Sequence, residues 1–220
     1  VRLLIHTTLK ADLSALLQKP WRFGHGFFLN NIKQYSGIAG MTIKNTSVSY
    51  GSVSRFLHWL IFLLILGLLV IGYLMDGITD KALRAVVINM HKLTGLLVLL
   101  LVIVRIMWSL INVKPGLSSM TPRYEKWAEK SVHYLLYVVM LMMPVSGWVM
   151  ASAKHPPMLG DISLGLPVPQ TKALKDLAFD FHYWIAIAII VLVSVHVFAA
   201  LYHHFLQKDD VLRRMWPGKH

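Results

Sequence analysis

Four runs of apolar residues, near 56–75, 86–110, 132–151 and 180–205, are each long enough to cross a bilayer. About 30 Å of hydrocarbon needs roughly 20 helical residues. Lipid offers the backbone no hydrogen bonds, so only helices or a closed barrel can span it. The runs are continuous rather than alternating, which argues against a barrel. The expected fold class is all-α, an integral membrane four-helix bundle over residues 50–220, and a charged fraction of only 15% excludes an ordinary soluble domain of this size.

The formal charge of +12 would suit a nucleic-acid partner, but the basic residues lie at helix ends and in loops, so no nucleic acid is expected. Membrane lipid and topology account for them better. With the N-terminus inside, Lys44, Arg55, Lys114, Arg123, Lys126, Lys130, Lys208, Arg213, Arg214 and Lys219 fall on the cytoplasmic side. Lys81, Arg84, Lys92, Lys154, Lys172 and Lys175 fall outside. The bias favours both termini in the cytoplasm.

Residues 1–49 read as an N-terminal extension. Its first forty mix Lys10, Lys19, Arg22 and Lys33 with Pro20 and glycines, and no apolar stretch there is long enough to span or to serve as a secretory signal. Met41 is the expected natural start. The chain has no cysteine, which removes disulfides, thiolate metal sites and iron–sulfur clusters. Redox work would then need a cofactor held by histidine.

Four histidines, His58, His91, His182 and His196, lie within the apolar runs. An imidazole in hydrocarbon needs a reason to be there. His182 and His196 are fourteen residues apart on one helix, which leaves both on nearly one face, about 21 Å apart along the axis. With helices alternating in direction, His58 and His196 lie near the cytoplasmic side and His91 and His182 near the outer side. Two histidines at each of two depths suit two haem irons, each between axial imidazoles; zinc or copper would want three or four ligands at one depth. Any one of these histidines alone reads better as a polar contact between helices. The matched set reads as pairs His58/His196 and His91/His182. His133 is read as interfacial, and His6, His25, His155 and His220 carry no signal.

Arg105 shares a face with His91 toward the cytoplasmic end. It is read as a partner for a haem propionate or a quinone head group, or as a side chain snorkelling to the interface. His203 falls on the haem-facing side two turns beyond His196. With His204, and with Arg123 and Lys126 from the loop between the second and third helices, it is a candidate quinone site. Gly95 and Gly147 are read as close-approach positions, Pro144 as a kink, Met140, Met142 and Met143 as packing, and Trp59, Trp108, Trp148 and Trp184 as interface anchors.

The segments SRFLHW, INMHKLTG, HYLLYVVMLMMPVSGWVM, FHYW, SVHVFAALYHHF and the closing DDVLRRMWP resemble the bacterial cytochrome b(561) family over residues 50–220. The resemblance implies a four-helix protein of the bacterial inner membrane with two haems b on His58, His91, His182 and His196. It further implies a superoxide oxidase, passing electrons from superoxide outside to ubiquinone, with His203 at the quinone site. The family also takes a basic residue from the second loop, which puts forward Arg123 or Lys126, although VKPGLSSMTPRYEKW is less rich in proline and lysine than the family form. Lys81, Arg84, Lys92, Lys172 and Lys175 would draw in the superoxide anion. An alternative keeps the haems but takes electrons from a protein donor, a hydrogenase or dehydrogenase, and another is a haem-free helical anchor or transporter.

Overall fold

The computed structural model describes residues 42–116 and 121–216, so most of the extension expected before Tyr50 lies outside the described residues. Helix α1 covers Ser52–Leu74, α2 Lys81–Leu110, α3 Arg123–Ser152 and α4 Lys172–Tyr202. A two-stranded hairpin of β1 (Met158–Leu159) and β2 (Ile162–Ser163) joins α3 to α4, and a short α5 (Val211–Met215) follows a π turn at His203–Gln207. Four helices among the described residues are long and apolar enough to cross a membrane. The chain is a multi-pass membrane protein, all-helical apart from that small hairpin.

Every spanning helix begins earlier than its apolar run. Asp80 caps α2 by accepting from the Leu83 amide, and Thr171 does the same for α4 through Leu174. Hydropathy marks where lipid contact begins, whereas caps mark where the helix begins. The difference matters most for α3, whose start at Arg123 puts Arg123 and Lys126 on a helix rather than in the loop expected from sequence.

Helix α4 packs closely along α3, and α2 packs against both α1 and α3, but α4 scarcely approaches α1 or α2. The tightest apolar core, Ile61, Val98 and Val102 with Leu64, Leu68, Met140 and Leu141, ties α1, α2 and α3 at mid-depth. On α4, Ile185 and Ile189 are buried between its two histidines. The outward faces are exposed leucine, isoleucine, valine and aromatic side chains, such as Leu63, Leu100, Val104, Trp184 and Ile190. That distribution suits lipid as the surrounding medium.

At the lower end of the bundle, where α1 starts, residues 42–51 fold onto α1 and α2. The Asn45 side chain donates to the Val113 carbonyl at 2.9 Å and accepts from the Gly51 amide at 2.9 Å and the Ser54 hydroxyl at 2.6 Å. Ser54 in turn accepts from the Trp108 indole at 3.1 Å, which joins the segment to α2. Asn45→Ala is expected to lower stability by about 1–3 kcal/mol, because it strands the Gly51 and Ser54 donors. Thermal unfolding in detergent, followed by circular dichroism, measures this, and an unchanged midpoint would contradict the assigned role.

Candidate functional site

Helix α1 rises from the lower end and α2 descends, which carries His58 to the lower end and His91 to the upper. Helix α4 descends as well, with His182 above and His196 below. The structure brings the four histidines together two by two. His91 and His182 have ring centres 6.4 Å apart, and His58 and His196 have ring centres 6.2 Å apart. Each pair spans the separation between α4 and the α1–α2 side of the bundle. At the bond length of about 2 Å that imidazole nitrogen makes to a divalent metal, two rings on opposite sides of one ion have centres about 6 Å apart. Both pairs meet that spacing. Among the described residues no three metal-ligating side chains converge.

The upper pair is shaped by residues lacking bulk. A Cβ at Gly147 would lie 2.9 Å from Cε1 of His182, so only glycine lets α3 and that ring approach so closely. Gly72 of α1 lies equally bare against His91, where a Cβ would come within 3.4 Å of Cε1. Beside them runs an apolar cleft of about 1010 Å³, counted to its open mouth, lined by Leu68, Gly95, Met143, Trp148, Pro157 and Phe179 among others. A Cβ at Gly95 would meet no protein atom within 4 Å. The cleft's apolar lining suits a large flat ligand.

Hydrogen bonds settle the state of His182. Its Nδ1 lies 3.1 Å from the Met143 carbonyl, which can only accept, and 3.1 Å from the Ser146 hydroxyl. The proton therefore resides on Nδ1, leaving the Nε2 lone pair bare, which is the arrangement metal-binding histidines adopt. Ser146 also donates to the Met143 carbonyl at 2.7 Å, one residue before Pro144. His91 differs, because its Nδ1 is buried without a hydrogen-bond partner among the described residues. An orphaned polar atom in an apolar wall fits a ring whose purpose is to hold a cofactor.

The lower pair has a different surround. Nη2 of Arg105 lies 3.2 Å from Nδ1 of His58, and Nη1 donates to the Ser54 carbonyl. A guanidinium only donates, so Nδ1 accepts and the neutral ring keeps its proton on Nε2. A metal at that Nε2 requires Arg105 to turn to another acceptor, for which a carboxylate is well suited. The sequence reading missed His133. Placed there at the interface, it instead stacks edge-on to His196 with centres 5.2 Å apart, and its Nδ1 lies 3.9 Å from Glu129. The signal was available, since His133 and Glu129 fall on the bundle-facing stripe of α3 with Leu136 and Met140.

His203 closes α4. Its Nδ1 lies 2.6 Å from Asp209, whose other oxygen accepts from the Val211 amide, and the Asp209 amide returns a bond to the His203 carbonyl. The turn between them needs a left-handed residue, Lys208 at φ 55°. His204 has a buried Nδ1 without a hydrogen-bond partner among the described residues. Arg123 and Lys126 do not join His203 in this arrangement; with Trp127 and Lys130 they line a hollow of their own. Nearby, burial pushes the Tyr50 hydroxyl above its usual range, with the Glu129 carboxylate adding to the effect.

At the upper end the five expected cations are not equally free. Arg84 pairs with Asp76 at 2.7 Å, Lys175 with Asp176 at 3.3 Å, and Lys92 donates to the His155 carbonyl at 2.7 Å. Lys81 and Lys172 have no such partner among the described residues. Of the tryptophans read as interface anchors, Trp59 donates to the Met215 carbonyl and Trp148 to the Leu164 carbonyl, so both fasten loops or termini to the bundle. Trp184 is exposed.

A family model described as prokaryotic cytochrome b561 matches residues 49–218. The chain is 32% identical over 184 residues to cytochrome b561 homolog 2 of Escherichia coli strain K12, covering 80% of this chain and 95% of that protein. It is 28% identical to cytochrome b561 homolog 1 of the same strain, over 59% of this chain and 74% of the relative. It is also 24% identical to the probable superoxide oxidase CybB of Yersinia pestis, over 77% and 97%. Gly147→Val is expected to push the His182 ring out of place and reduce bound haem. Haem quantification per chain checks this, and a full complement would contradict the role given to Gly147.

Proposed function

The chain belongs to the prokaryotic cytochrome b561 family, membrane electron-transfer proteins that bind b-type haem, and we propose that it holds two such haems and oxidises superoxide at the expense of ubiquinone. The observation that carries this reading is the pair of 6.4 Å and 6.2 Å imidazole separations at opposite ends of one bundle. His91 and His182 hold the upper haem, and His58 and His196 the lower. Bound there, the haems supply one-electron storage and a path between the two ends. The donor assignment is supported by the likeness to a probable superoxide oxidase.

Two superoxide anions each give up one electron and leave as dioxygen, while one ubiquinone gains both electrons and two protons and leaves as ubiquinol. Lys81 and Lys172, without a side-chain partner among the described residues, raise the local concentration of the anion at the upper end. Met143 and Ser146 hold the proton of His182 on Nδ1 and so keep its Nε2 free for iron. With haem bound, Arg105 would be placed to serve a propionate carboxylate instead of His58 Nδ1. His203 hands a proton to the quinone oxygen from Nε2 while Asp209 fixes the ring at Nδ1, in the manner of other carboxylate-oriented histidines. The setting is the bacterial inner membrane, with the lower end and both termini facing the cytoplasm, as the distribution of Lys and Arg supports.

His203→Ala is expected to slow ubiquinol formation by on the order of a hundredfold, and Asp209→Asn by less, with haem content unchanged in both. Stopped-flow quinone reduction by a superoxide source, run on the chain purified alone, measures this. Unaltered rates would remove His203 from the quinone site. A wild-type chain inactive until a hydrogenase or dehydrogenase is added would replace superoxide with a protein donor.

A further inference from the structure

The lower end of α3 carries two distinct faces. Glu125, Glu129, His133, Leu136 and Met140 recur every three or four residues and turn toward the bundle. Glu125 accepts from Gln207 of the π turn at 3.4 Å, and Glu129 meets His133. Arg123, Lys126, Trp127 and Lys130 recur at the same spacing but lie roughly 110° round the helix from that stripe. Among the described residues these four side chains line a hollow of about 380 Å³, counted to its open mouth.

The cations there are poorly served by the protein. The Arg123 and Lys126 side chains make no hydrogen bond or ion pair among the described residues, while Lys130 acts on the Glu129 carboxylate. Arg123 and Lys126 also stand in the first turn of α3, where the helix dipole disfavours positive charge. Two positive groups set against that penalty, with Lys130 one turn further on, favour an anion from outside. The apolar run of α3 begins near residue 132, so the hollow sits at the boundary of the hydrocarbon, and Trp127, 70% exposed, has the placement of an indole at lipid head-group level.

We infer that Arg123, Lys126 and Lys130, with Trp127 as the floor, bind the phosphate of an anionic phospholipid head group. The cations take the phosphate charge and the indole lies along the glycerol and upper acyl region. The site goes beyond the electron-transfer reading and does not depend on it.

Native mass spectrometry of the haem-loaded full chain, titrated with phosphatidylglycerol or with phosphatidylcholine of the same acyl chains, tests this. The wild type should retain one phosphatidylglycerol at least about tenfold more tightly than phosphatidylcholine. R123Q/K126Q/K130Q should abolish that preference, whereas K81Q/K154Q/K172Q, which removes the same charge at the upper end, should keep it. The single variants R123Q and K126Q, less prone to misfold than the triple, should each weaken binding severalfold. Millimolar inorganic phosphate should not displace the lipid. Equal retention of the two lipids, an unaffected triple or single variant, equal loss in the upper-end control, or full displacement by free phosphate would each overturn the assignment.

Discussion

The fold depends on imidazole rings being held apart inside hydrocarbon. A helix bundle in lipid gains little from hydrophobic association and relies on close packing, so helices that do not touch need another means of staying together. Helix α4 touches α3 along its length yet scarcely meets α1 or α2. What it presents to them is two histidines, at two levels, at the spacing that two imidazoles need to share one iron. In this account cofactor binding and the cohesion of the bundle are the same interaction, as in other small proteins where ligand binding is part of the folding free energy.

Small residues and irregular backbone serve that arrangement. Gly147 and Gly72 make room for the upper rings, and Gly95 leaves one wall of the cleft flat. Pro144 follows directly on Met143, whose carbonyl fixes the His182 tautomer. At the lower end the surround is polar and charged, with Arg105, His133, Glu129 and the His203–Asp209 pair within a few turns of one another. The two ends therefore differ in kind: an apolar cleft for the upper pair, and a proton-bearing surround for the lower pair where a quinone would be served.

The spans, their number and the pairing of histidines by depth were legible because hydropathy and helical periodicity record them directly. Helix starts were not, because Asp80 and Thr171 lie outside the apolar runs and the polar first turns of α3 look like loop. Arg123 and Lys126, expected in a loop, stand instead in the first turn of α3. His133 was passed over because counting ligands in pairs left it without a task, although its spacing from Glu129 and Leu136 places it on the inward stripe. Gly72 and Ser146 carry no signal in a single sequence; only the approach of a ring gives each a function. The Asp209 contact was equally hidden, since it depends on a π turn and one left-handed residue.

The most direct measurement is haem quantification combined with low-temperature electron paramagnetic resonance on the purified chain, wild type and His196→Ala. Two b haems per chain, both low-spin and six-coordinate, with one lost or turned high-spin in the variant, is the expected result. A single haem per chain, or a wild-type spectrum that His196→Ala leaves unchanged, would contradict the pairing on which the account rests.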